Sequence, residues 1–197
     1  MNFLQEAANL LTGENLTKIS QSLNTDEESV SKGITAAIPA ILTALNTKAQ
    51  QSDIAPLLLD AVRNNFGGEL LDNLGDYFNH PQNTLTETPK ILSTIFGDSE
   101  AKAQEKVVKA SGLAPSLVVQ LMSSIAPVVL SLIGKYVKEQ NLDSSGFTSL
   151  LNDQMSIVRS NAPGLIGFLE RIDANDDGSI ADDLGRLFNN LFGKKEA

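Results

Sequence analysis

Cysteine and tryptophan are absent from these 197 residues, histidine occurs once, and aromatic side chains make up only 5% of the chain. The missing thiol excludes disulfides, cysteine nucleophiles, iron–sulfur clusters and cysteine-ligated zinc. The single imidazole, His80, sits in Phe78-Asn79-His80-Pro81 with nothing to orient it as a base, so a surface role is expected for it. Cationic charge is also scarce: 15 Lys and Arg stand against 24 Asp and Glu, a formal net charge of −9. Such a chain repels phosphate backbones and anionic membrane surfaces at long range, so nucleic acid is not an expected partner. The amino terminus carries no basic stretch, and Glu6 interrupts its apolar run before it reaches the length of a secretory h-region. The expected compartment is the cytoplasm, which suits a cysteine-free chain.

What the chain does have is apolar residues, 42% of the total, recurring at spacings of three and four. Alternating runs of β-branched and aromatic residues bounded by turns are missing, so the expected fold is all-α. A chain of this length buries roughly 70% of its unfolded surface and needs no covalent staple. The first predicted helix carries Phe3, Ala7, Leu10 and Leu11 on one face and stops at Gly13; a second runs through Leu16, Ile19 and Leu23. Thr25-Asp26-Glu27-Glu28 reads as a capping box with Thr25 as the cap, opening a long helix to about Lys48. Pro56 suits the first turn of the next helix, which Gly67-Gly68 closes, and another passes through Leu70, Leu71, Leu74 and Phe78. A polar loop is expected over 79–88, then a short helix from Thr88-Pro89 to Gly97, and a further one capped by Asp98-Ser99 and ended by Gly112.

From Ala110 to Gly134 no residue is charged, long enough to test as a membrane span. Ser116, Gln120, Ser123, Pro127 and Ser131 fall three or four apart, however, giving the helix one small or polar face, and Pro115 and Pro127 are read as interrupting it. A buried core helix is therefore expected rather than an integral membrane segment. Sliding the sequence by 88 residues superposes this helix on the one that begins near Thr25. Val30 falls on Val118, Ile34 on Met122, Pro39 on Pro127, Leu42 on Leu130 and Leu45 on Ile133, while Ile19 falls on Val107. A proline inside a helix costs about 3 kcal/mol, so its retention at one register suggests a shared kink. Chance alignment of two apolar helices is the plainer alternative. Duplication predicts two pseudo-symmetric helical units, about 1–80 and 81–160, packed around the paired proline helices, with residues 161–197 forming a C-terminal helix, acidic loop and helix.

The order of three motifs, Ile95-Phe96-Gly97, Ser111-Gly112-Leu113 and Ile125-Ala126-Pro127-Val128-Val129-Leu130, resembles the bacterial YidB-like family, a domain of unknown function. The Asp/Gly tail from Asp173 to Ser179, with Asp182-Asp183 after it, is similar to the ending of those proteins. The resemblance covers nearly the whole chain and implies an all-helical cytoplasmic bacterial protein. It implies no activity, substrate or catalytic residue, and the first copy around Pro39 keeps the apolar frame without the full signature.

One constellation has site chemistry. Asp173, Asn175 and Asp177, with Gly178 at the sixth position and Ile180 at the eighth, match the first two thirds of a helix–loop–helix calcium loop. Alternate side-chain oxygens converge on one hard cation and the Ser179 carbonyl adds a ligand. Leu184 stands at the twelfth position where a bidentate Glu belongs, so Asp182 or Asp183 would have to close the shell. A solvated acidic turn that caps the following helix uses the same residues without metal. Other reactive groups are ordinary: Ser123-Ser124 and Ser144-Ser145 lack a base and a nucleophile turn, and Glu27, Glu28, Asp72 and Asp76 read as helix-surface charges. The amphipathic first helix and the Leu187–Phe192 segment are expected to pack within the protein, with docking to a protein partner the lesser alternative.

The expected function is therefore non-enzymatic interaction or scaffolding. Two competing classes are a calcium-stabilised binding module using the Asp173–Asp183 loop and a carrier of a small apolar ligand held between the Pro39 and Pro127 helices. Calorimetric titration with calcium tests the first: binding heat and a raised melting temperature are expected if the loop is a site, both weakened by Asp173→Asn with Asp177→Asn. Absence of heat and of any thermal shift in the unaltered chain removes it.

Overall fold

The computed structural model describes residues 3–79 and 91–161. In chain order these form α1 (Phe3–Leu10), α2 (Glu14–Leu23), α3 (Glu27–Ala49), α4 (Ala55–Asn65), a 3-10 turn (Glu69–Asn73) and α5 (Leu74–Asn79). After position 90 come α6, described over 91–96, a 3-10 turn (Gly97–Ser99), α7 (Glu100–Ser111), α8 (Pro115–Glu139) and α9 (Ser144–Asn161). No strand occurs among the described residues, so the fold is all-α as the spacing predicts.

Helix α3 starts where its unpaired amides find an acceptor. The Asp26 carboxylate accepts from the Ser29 N–H at 2.8 Å, and that bond holds Asp26 below the usual carboxylate range. The cap is thus Asp26 rather than Thr25, and no capping box forms, because Glu28 turns to Lys32 at 2.7 Å instead of back to the helix entrance. With both ends of that ion pair exposed, it adds only a few tenths of a kcal/mol. Burial matters far more: Val30, Ile34, Ile38, Ile41, Leu42 and Leu45 are all at most 1% exposed, each contributing about 1.5–3 kcal/mol of transfer free energy.

Helices α3 and α8 lie against each other at the centre. Each runs on through its proline, Pro39 or Pro127, and both prolines are buried. Neither proline has an N–H to offer the carbonyl of Thr35 or Ser123 one turn earlier. Pro115 proves to open α8 in its first turn rather than interrupt it, because a first-turn N–H has no partner to lose. Where α3 passes α8, Leu121 fills the space left by Gly33: a Cβ there would lie 2.5 Å from the leucine Cδ2. The outer helices cross over, α4 packing on α8 and α9 on α3. Thr148 of α9 donates to the Ala49 carbonyl at 3.1 Å, and Arg63 of α4 donates to the Leu142 carbonyl at 2.5 Å. By length and composition α8 could cross a membrane, yet 78% of its most apolar window is buried against the rest of the protein.

Several landmarks recur 88 residues apart: the starts of α3 at Glu27 and α8 at Pro115, the prolines 39 and 127, and the left-handed caps at Asn24 (φ 49°) and Gly112 (φ 74°). Two local expectations are corrected. The helix expected through Leu70 and Phe78 is divided, its first part tightening into the 3-10 turn that lies across α8, where Glu69 meets Lys138 at 3.2 Å. Ser99 precedes α7 in a helical conformation (φ −87°, ψ −1°), which turns its hydroxyl away from the orphan amides, so neither it nor Asp98 supplies a side-chain cap.

Phenols tie the periphery to α8. Tyr77 of α5 donates to the Ser124 carbonyl at 3.1 Å, and Tyr136 donates to the Glu6 carboxylate of α1. Burial raises the pKa of both well above the ordinary tyrosine value, and for Tyr136 the Glu6 carboxylate raises it further. A group with a raised folded-state pKa contributes fully below its unfolded pKa of about 10 and loses that contribution as pH rises above it, since the unfolded chain then releases protons the folded chain retains. The urea midpoint is therefore expected to fall above about pH 10, with Tyr77→Phe plus Tyr136→Phe flattening the fall. An equal alkaline decline in wild type and double variant contradicts this. A second expectation concerns Gly134, where a Cβ would sit 1.5 Å from the Phe66 carbonyl oxygen. Alanine ordinarily gains up to about 1 kcal/mol over glycine inside a helix, but here backbone must move, so Gly134→Ala is expected to destabilise by roughly 2–3 kcal/mol. Gly33→Ala meets the flexible ends of Leu121 (2.5 Å) and Leu113 (3.0 Å) rather than backbone and costs less; chemical denaturation checks the order.

Candidate functional groove

The second half of α3 has two unlike faces. Ile41, Leu42 and Leu45 are buried, while Ala40, Thr43, Ala44, Thr47 and Lys48 line a cavity of about 450 Å³. Across from them stand Ile95 and Phe96 of α6, then Ser99 and the α7 face made by Lys102, Ala103 and Lys106. Lys102 and Lys106 share that face because they are four residues apart, with Ala103 beside them to let the helices stand close without filling the gap. Ala40, Ile95 and Phe96 are buried and give the cavity an apolar floor; Lys48 and Lys106 are half-buried and Lys102 is exposed at the rim.

Three polar donors of the wall are engaged by nearby backbone carbonyls. Thr43 donates to the Pro39 carbonyl at 2.8 Å, Thr47 to the Thr43 carbonyl at 2.9 Å, and Lys48 to the Thr94 carbonyl at 2.5 Å. Among the described residues no acidic side chain lines the cavity. In a chain of net charge −9 this is a local concentration of positive charge, three lysines around one opening. The arrangement suits an apolar body with a negatively charged end. No nucleophile with an adjacent base is among the lining residues.

At a shift of 88 residues several of the lining positions fall on larger side chains. Leu132 stands where Ala44 would fall and Tyr136 where Lys48 would; Leu132 is fully buried and the Tyr136 ring packs on Phe3 at 6.3 Å between centroids. Leu11, also fully buried, takes the place of Ser99. The exchange runs the other way at the floor, where Ile95 and Phe96 replace Ala7 and Ala8.

Of the residues that the sequence singles out, Asp173, Asn175, Asp177, Ser179, Asp182, Asp183 and His80 lie outside the described residues. Among the described residues no group of three or more His, Asp or Glu side chains could hold a metal ion. The helix-surface carboxylates are not brought together: Glu27 accepts from Thr17 at 2.7 Å and Glu28 pairs with Lys32, while Asp72 and Asp76 are exposed on other elements. The expected ligand position between the two proline helices is not where this cavity is found; it flanks α3 on the side of α6 and α7. Lys48, Lys102 and Lys106 escaped the sequence reading. Their only local signal is a lysine next to alanines on an amphipathic helix, which also describes a solvated face.

The family model described as "Bacterial protein of unknown function (DUF937)" matches residues 6–136, a span that includes α3, α7, most of α8 and every residue of the groove. No curated protein and no solved structure matches the chain. With the match covering well over half of its length, the chain belongs to the DUF937 family of bacterial proteins of unknown function.

Proposed function

We propose that this is a non-enzymatic helical binding protein of the bacterial cytoplasm whose ligand occupies the groove between α3 and α6–α7. The observation that carries the reading is the groove itself: about 450 Å³, within the size range of small-molecule sites, with an apolar floor and a lysine rim on an otherwise acidic protein. The repeated landmarks support a duplicated helical unit in which one copy closed its groove with Leu132, Tyr136 and Leu11 while the other kept it open. Burial of most of α8 favours a core helix over a membrane span, and the exposed, scattered carboxylates favour binding over catalysis.

Scaffolding through an apolar protein-docking face has less support. Among the described residues the large apolar side chains left exposed are Leu57 at 66% and Val119 at 38%, on different helices, and two isolated side chains do not make a patch. Native mass spectrometry of freshly purified full-length protein tests the groove. A non-covalent adduct is expected on the wild type and is expected to be lost on Ala44→Leu, which installs the side chain found at position 132. Bare polypeptide mass alone, or an adduct equally abundant on the variant, overturns the reading.

A further inference from the structure

Resting on the groove reading above, we infer that the ligand is a single-tailed anionic amphiphile, an alkyl chain ending in a negatively charged head. The tail is specified by the floor. Ala40, Ala44, Ala103, Ile95 and Phe96 offer carbon and no side-chain hydrogen-bonding group, the Thr43 and Thr47 hydroxyl protons already go to their own helix, and the other uncharged polar side chains of the described lining are Gln51 and Ser99. A sugar or nucleoside would leave most of its hydroxyls against the apolar floor, with Gln51, Ser99 and the threonine oxygens too few to pair them all, whereas an alkyl chain has none to satisfy. The cavity volume suits one chain, not the paired chains of a phospholipid.

The head is specified by the rim. Lys48 from α3 and Lys102 from α7 bring ammonium groups to one opening from opposite walls, with no acidic side chain among the described lining residues. Lysines act as rotatable point charges, and among the described lining residues there is no arginine fork to read a planar group bidentately, so the demand on the head is negative charge rather than a fixed shape. Because the whole chain is acidic, long-range attraction does not recruit the anion; local ammonium groups select the head and burial of the tail supplies the affinity.

The test is calorimetric titration of the full chain with hexanoate, octanoate, decanoate and dodecanoate, and with dodecyltrimethylammonium, 1-dodecanol and acetate. Expected is a roughly tenfold tightening for each added pair of methylenes until the cavity is filled. Dodecanoate is expected to bind at least tenfold tighter than either the cationic or the neutral twelve-carbon probe, with acetate showing no heat. Lys102→Glu should weaken dodecanoate at least fivefold and leave 1-dodecanol unchanged; this exposed side chain is not part of the packed core, so the variant is expected to fold, which its unfolding midpoint checks. If all twelve-carbon probes bind equally and Ala44→Leu abolishes them together, the groove stands and the anionic class is overturned. If no probe binds, or dodecanoate binding ignores both Ala44→Leu and Lys102→Glu, the groove reading falls as well.

Discussion

The contact on which the rest of the molecule depends is the one between α3 and α8, helices too apolar to face water. At their crossing a leucine fills the space left by a glycine, Leu121 over Gly33, which lets two proline-containing helices come together without a void. The two positions are 88 residues apart, the spacing that also relates Pro39 to Pro127, so in a duplicated unit a residue would here meet its own counterpart. The crossover of the outer helices follows from the same pair. Each central helix has more apolar surface than its own neighbours cover, and the remainder takes α9 on one side and α4 on the other. A unit split after α5 would expose those faces, so the two halves stabilise one another rather than standing as separate domains.

Much of this was legible from spacing alone. The all-α class, the inward faces of α3 and α8, the left-handed ending at Gly112 and the first-turn role of Pro56 follow from local rules of period, capping and missing N–H groups. The misreadings were local as well. Thr25 and Asp26 both carry a cap-competent oxygen, and only the geometry of the Ser29 amide decides between adjacent candidates. Ser99 has the right side chain and the wrong backbone conformation to use it. Pro115 and Pro127 are the same residue type with opposite consequences, one opening a helix and one lying within it.

The groove was illegible for a different reason. Ala40 and Ala44 look like fillers of a packed helix, and what leaves a cavity beside them is the distance to α7, set by elements more than fifty residues away. Lys102 and Lys106 read as solubilising charges until α3 supplies Lys48 from across the opening. A cavity is a property of what fails to meet, and a hydrophobic pattern records only what each helix presents. Under the proposed duplication the 88-residue shift converts that silence into a signal, because it sets Leu132 and Tyr136, both buried, against Ala44 and Lys48.

That asymmetry bears on why the open side persists. Small side chains at Ala40, Ala44 and Ala103 forgo contacts that larger ones would make, and filling such a gap with carbon ordinarily stabilises a protein. If the two halves are copies, Leu132, Leu11 and Tyr136 are what the corresponding positions hold when buried. An opening kept where the architecture permits closure, and rimmed with the charge the chain otherwise lacks, is more economically explained by an occupant than by imperfect packing. On the proposed reading, stability forgone along α3 is the counterpart of an affinity directed outward, with the lysines choosing what is admitted.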